Sequence, residues 1–145
     1  MEHLEEIFSR TSGIPGKTLA GYLSVYFAPR GFRSGPQRPP GVTPNFHYFE
    51  FNSKNEDIAV LYNREHNVAA FSKTFDRSWG IQTFVDHAEL QSLIPDYMEV
   101  LILKRDVLLQ PISPRELAVK FPDYAYDAKY WKPCYVGEVI FNYWD

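Results

Sequence analysis

Cysteine is nearly absent. Cys134 stands alone in 145 residues, so no disulfide closes within the chain and no multi-cysteine metal site forms. Long apolar runs are also missing. None approaches the ~20 residues needed to cross a bilayer. The N-terminal stretch carries Glu2, Glu5 and Glu6 where a secretory signal would be apolar. These features favour a reducing compartment, and the cytoplasm is the expected location. Positive charge is not in excess either: the formal net charge is −3 and the pI near 5.8. Nonspecific nucleic-acid binding usually needs a basic face, whereas a mildly acidic protein is suited to a basic partner, because opposite fields speed encounter.

The signatures of catalysis are equally sparse. His3, His47, His66 and His87 show no metal-ligand spacing. There is no Gly-x-Ser-x-Gly elbow and no Gly-x-Gly-x-x-Gly. Gly16-Lys17-Thr18 ends like a phosphate-binding loop, but Thr11 holds the position that must be Gly, and a polar helix rather than a buried strand precedes it. Cys134 lies near Lys132 without a base in sequence to activate it. Glu56-Asp57 reads as a pair of solvated turn charges. The expectation is a protein that is not an enzyme and takes no cofactor or metal.

What the chain has in abundance is aromatic surface: 11 Phe, 10 Tyr and 3 Trp, with 45% hydrophobic residues. That composition makes disorder improbable and points to a sheet-rich fold or a surface built to bind. A length of 145 residues suits a single domain, 1–145. The stretch from Asn45 to Val85 organises it, as strands over Asn45–Asn52, Asp57–Asn63, Asn67–Thr74 and Trp79–Val85 separated by polar turns. Phe46, Tyr48 and Glu50 share one face of the first of these and His47, Phe49 and Phe51 the other. Both faces are largely apolar, so this strand is placed centrally.

Around this unit, Leu4, Ile7 and Phe8 predict a short N-terminal helix over Glu2–Arg10. The alternation of Leu23, Val25 and Phe27 predicts a strand over Leu19–Phe27. Five prolines and three glycines make Pro29–Pro44 an irregular loop, in which Arg30, Arg33 and Arg38 form the most basic segment. Asp86 and Glu89 form a capping box for a helix bearing Leu90, Leu93 and Ile94, ended by Pro95. Met98–Leu103 reads as a core strand and Val107–Gln110 as a further short one. Ser113, Pro114 and Glu116 open another helix, and Val136, Val139, Ile140 and Tyr143 recur at the spacing of a docked C-terminal helix. The expected class is α+β: one domain built on a twisted antiparallel β-sheet meander, in one sheet or two in a Whirly-like arrangement, with a few short helices packed on it, the C-terminal one included.

Between the last two helices lies Asp123-Tyr-Ala-Tyr-Asp-Ala-Lys-Tyr-Trp-Lys-Pro133. Tyrosine and tryptophan combine large contact area with a polar end, the chemistry of interface hot spots. The same rings would equally serve a segment wrapped over the sheet.

The final stretch, Lys132-Pro-Cys-Tyr-Val-Gly-Glu-Val-Ile-Phe-Asn-Tyr-Trp-Asp145, resembles a C-terminal signature of small bacterial immunity proteins: Pro, a few residues, then Val/Ile-Gly-Glu, two apolar residues, Phe-Asn-x-Trp-Asp. In length and organisation the chain looks like an immunity protein of the contact-dependent growth inhibition type, of the enterobacterial class that neutralises a ribosomal-RNA-cleaving toxin. The resemblance implies a cytoplasmic, non-catalytic inhibitor that binds one toxin nuclease domain, the C-terminal part of a large secreted protein. It carries no contact residues across, and Gly137, Phe141, Asn142 and Trp144 are expected to be structural. Nucleases need basic surfaces to hold their substrate, so the expected toxin-binding residues are Asp123, Tyr124, Tyr126, Asp127 and Tyr130, joined by Glu56 and Asp57 from a sheet turn. The alternative is a single-stranded nucleic-acid-binding module that stacks bases on an aromatic sheet face while Arg30, Arg33 and Arg38 reach the backbone.

Overall fold

The computed structural model describes residues 2–41, 43–75 and 83–144. Its centre is a six-stranded sheet: β1 (Arg33–Arg38), β2 (His47–Asn52), β3 (Asp57–Asn63), β4 (Val68–Ser72), β5 (Phe84–Val85) and β6 (Leu101–Ile102). The first four form an antiparallel meander. The free side of β4 is then shared. β5 pairs antiparallel with Phe71 and Ser72, and β6 pairs parallel with Val68 and Ala69. The fold is α+β with a single sheet, not two.

Period-2 alternation sends successive side chains of each strand to opposite faces, and here both faces are buried. Tyr48, Ala59, Leu61, Val68 and Ala70 point into one core. Phe49, Phe51, Ile58, Val60, Tyr62, Ala69 and Phe71 point into the other. The central placement of β2 follows from this, with Tyr48 opposite Leu61 and Phe49 opposite Val60 on β3. The first core is closed by α1 (Glu2–Phe8), α4 (Arg105–Leu108), α5 (Pro114–Lys120), α6 (Ala125–Trp131) and α7 (Val136–Ile140), and the second by α2 (Gly16–Phe27) and α3 (Ala88–Ser92).

Several expectations are corrected. Leu19–Phe27 is not a strand but most of α2. Leu19, Ala20, Leu23 and Phe27 are buried at helical spacing, while Val25, the middle of the supposed alternation, is 69% exposed. Each large apolar side chain on that stripe stabilises by roughly 1.5–3 kcal/mol, which outweighs the local β preference of the tyrosines and valine. Part of the Pro29–Pro44 segment is ordered as β1. It lies at the sheet edge, and its pairing with β2 shifts register between Ser34 and Gln37, around Pro36. An edge strand has one side without hydrogen-bonding partners, so proline is tolerated there. Val107–Gln110 is not a strand: Leu108 is buried on α4, whose first N–H group, that of Arg105, is taken by Asp86 Oδ1 at 2.8 Å. Asp86 is therefore spent on α4, and the cap of α3 is His87, whose Nδ1 accepts from Leu90 N–H at 3.1 Å. Of Met98–Leu103 only Leu101–Ile102 is strand, after a 3-10 turn over Asp96–Met98. Of the expected Trp79–Val85 strand, Phe84–Val85 is seen as β5, and residues 79–82 lie outside the described residues.

The C-terminal signature is a lock. Asn45 N–H donates to Asn142 C=O at 3.0 Å, and Asn142 N–H returns to Asn45 Oδ1 at 2.9 Å. Asn63 Nδ2 donates to Ile140 C=O at 2.8 Å, and Asn142 Nδ2 to Val139 C=O at 2.8 Å. Asn63 and Asn142 are buried, so these bonds satisfy groups that would otherwise be costly. Gly137 packs where a Cβ would run into the Phe84 ring and crowd Leu108 C=O. Phe141 sits edge-on to Phe46 at 5.8 Å.

Candidate binding surface

α5 begins as its sequence demands, with Ser113 Oγ accepting from Glu116 N–H at 3.3 Å and Pro114 in the first turn. It packs against α6 through buried Leu117 and Ala128. A 3-10 turn, Pro122–Tyr124, leads directly into α6, and Lys132, at φ 48°, ends it in the left-handed region. With Ala128 fixed inward, the opposite side of α6 faces out. Asp123, Tyr126, Asp127 and Tyr130 recur at i, i+3, i+4 and i+7, so four of the expected binding residues form one stripe.

Tyr126 and Tyr130 are 71% and 64% exposed, and their rings stack 6.0 Å apart, 10° from parallel. Trp131 meets Tyr130 edge-on at 4.9 Å. Among the described residues neither Asp123 nor Asp127 has an ion-pair partner. Lys129 and Lys132 lie to the other side of α6, on a shallow groove of about 440 Å³ shared with Arg115 and Ala118. The helix thus carries an acidic, aromatic stripe beside a basic flank.

Tyr124 does not belong to the stripe. Its ring stacks on Phe8 at 4.9 Å, 7° from parallel, and meets Trp144 edge-on. Burial, helped by Glu65, Asp127 and Asp123, pushes its phenol up to about 12. Tyr124 pins the start of α6 to the core and is a structural anchor. Glu56 and Asp57 are not brought to the stripe either. Glu56 Oε1 pairs with His87 Nε2 at 2.6 Å, beside the α3 layer, and Asp57 Oδ1 accepts from Asn52 Nδ2 at 2.8 Å. Glu56 is thereby tied to the α3 layer on the far side of the sheet from α6, and Asp57 to the network of Asn52 and Glu50 at the ends of β2 and β3.

The aromatic sheet platform of the alternative reading is covered. Tyr48, Phe49, Phe51 and Phe71 are all at most 2% exposed beneath helices. The three arginines also separate. Arg30 and Arg33 flank the turn into β1, while Arg38 sits over the Tyr48 ring at 5.9 Å.

The helical course of α2, in place of the expected strand, creates a second aromatic patch. Tyr22 and Tyr26 stack at 6.3 Å, and Tyr26 Oη lies 3.1 Å from Tyr97 Oη, next to exposed Val25. The hydrogen bond with Tyr97 and partial desolvation push the Tyr26 phenol up to about 12. The i, i+4 spacing of Tyr22 and Tyr26 was the available signal. Among the described residues no group of His, Cys, Asp or Glu could hold a metal ion, and no helix is long and apolar enough to cross a membrane. No family model matches the chain, and no curated protein or solved structure matches it.

Proposed function

We propose that this protein is a cytoplasmic immunity protein of the contact-dependent growth inhibition type, which acts by binding a toxin nuclease domain rather than by catalysis. The observation that carries the reading is the stripe on α6. Two stacked, exposed tyrosines and an adjoining tryptophan lie beside two carboxylates that no cation neutralises among the described residues. A nuclease presents basic groups to hold its nucleic acid. Asp123 and Asp127 offer them counter-charge, and Tyr126, Tyr130 and Trp131 supply low-entropy contact area at the centre. The C-terminal resemblance supports the same reading from the sequence. Tyr124, Glu56 and Asp57 drop out of the proposed contact set because they are committed elsewhere in the fold.

The test is calorimetry against the C-terminal domain of a large secreted protein encoded immediately upstream, with a single-stranded oligonucleotide as control. Tight one-to-one binding with loss of nuclease activity is expected. Tyr126→Ala and Tyr130→Ala should each weaken it by on the order of 2 kcal/mol, about 30-fold, while Glu56→Gln leaves it unchanged. Salt-sensitive binding of the oligonucleotide without binding of the domain would sink the proposal.

A further inference from the structure

The basic residues regroup in the folded chain in a way their spacing does not announce. α2 ends in a 3-10 turn, Ala28–Arg30, and Gly31, at φ 83°, swings the backbone into β1. Antiparallel pairing sets Arg33 opposite Asn52 and Ser34 opposite Phe51. The Ser53–Glu56 turn therefore lies alongside the Arg30–Arg33 segment. Ser53 Oγ accepts from Asn55 N–H at 3.3 Å and from Glu56 N–H at 3.1 Å, which holds Lys54 at the turn's tip. Between the two segments lies an open cleft of about 980 Å³. Arg30, Arg33 and Lys54 line it, and among the described residues no carboxylate does.

The nearest acids are already engaged. Glu89 pairs with Arg30 at 3.5 Å, Glu56 with His87, and Asp57 and Glu50 accept from Asn52 Nδ2. A protein of net charge −3 thus keeps three cations around one hollow, Arg30 shared with Glu89 and Arg33 and Lys54 without an ion-pair partner among the described residues. Phe32 does not offer a stacking face there, since it is 6% exposed and turned edge-on to His87.

We propose that this cleft binds an oligophosphate anion, with Arg30, Arg33 and Lys54 as its counter-charges. The cations come from two chain segments along a cleft of about 980 Å³, roomy enough for several linked phosphates, which are expected to engage more of them than a single phosphate does. Guanidinium forks match phosphate oxygens in pairs, and the lysine adds a mobile point charge. The anion is either free polyphosphate or the phosphate chain of a nucleotide. The cleft is lined by the 3-10 turn after α2, the start of β1 and the β2–β3 turn, and shares no residue with the α6 stripe, so its occupancy and toxin binding can fail independently.

The experiment titrates the full chain with orthophosphate, tripolyphosphate and magnesium-free ATP at low ionic strength, read by calorimetry and by amide shifts of residues 52–55. Tripolyphosphate is expected to bind saturably, at least tenfold tighter than orthophosphate, and to weaken with salt. The Arg33→Ala/Lys54→Ala double variant, which breaks no ion pair, should lose at least tenfold, while Arg38→Ala keeps the parent affinity. ATP binding more tightly than tripolyphosphate assigns the anion to a nucleotide, and equal binding assigns it to the free polyanion. Absence of saturable binding, or equal loss in the Arg38→Ala variant, overturns the proposal.

Discussion

Two neighbouring segments of the C-terminal quarter have nearly the same vocabulary and opposite fates. Residues 123–131 and 136–144 are each short helical stretches rich in aromatic and carboxylate or amide side chains. In the second, Val136, Val139, Ile140, Phe141 and Asn142 are buried and wired by hydrogen bonds to Asn45 and Asn63. In the first, Tyr126 and Tyr130 face water and only Ala128 is fully buried. The difference is set by what each helix rests on. α7 sits on the first core against the Phe84 ring, whereas α6 leans on α5 through small Ala128 and turns its large rings away. Two stacked rings left outside the core are the observation on which the proposal of α6, and not the signature motif, as the contact surface rests.

That contrast can be broken by mutation. Phe141→Ala should have the largest effect, a loss of about 3–5 kcal/mol in chemical denaturation, because it empties a fully buried ring site. A loss under about 1 kcal/mol would show that the C-terminal lock is not part of the core. Asn142→Ala removes the acceptor of Trp144 N–H and the donor to Val139 C=O. It should cost about 1–3 kcal/mol, with the Asn45 backbone bond retained. On the other segment, Tyr126→Ala and Tyr130→Ala should leave stability within about 0.5 kcal/mol, and a larger loss would assign them to the fold.

The smallest expected effect is a pH slope. Burial holds His66 below its ordinary range, and its Nδ1 is buried without a hydrogen-bond partner among the described residues. A histidine harder to protonate when folded contributes stability above its unfolded value near 6.5. That contribution is lost as pH falls through that value toward the lower folded one. Thermal melts between pH 7.5 and 5 should show this decline, and His66→Gln should flatten it. An unchanged slope in the variant would place the acid sensitivity elsewhere.

Much of the architecture was legible from residues alone. Strands β2, β3 and β4 announced themselves because strict alternation with apolar residues on both faces admits few other placements. Ser113-Pro114 and the spacing of Val136, Val139 and Ile140 marked α5 and α7 through local chemistry. What escaped was decided at a distance. α2 satisfies strand and helix periods at once, and only the presence of the second core selects Leu19, Leu23 and Phe27 over Val25. β1 owes its existence to β2 beside it, since a Pro-bearing segment has little strand preference of its own. α4 is a four-residue helix whose first N–H is met by Asp86, nineteen residues back. The site divided the same way. Asp123, Tyr126, Asp127 and Tyr130 stay together in the fold because helical spacing sets them on one stripe. Tyr124 turned inward toward Phe8, which no local pattern reveals, and Glu56 was captured by His87.

The bond between Asn45 and Asn142 also bears on how the protein is made. Strands β2 to β4 leave the ribosome before α7, yet one end of β2 is tied down by Asn142, 97 residues beyond its partner Asn45. The first core stays open until α7 arrives to close it. Phe46, Tyr48 and Leu61 share that core with Val136, Val139 and Ile140, so a chain that stops short of Asn142 leaves it incompletely covered and is a natural client for chaperones and proteases.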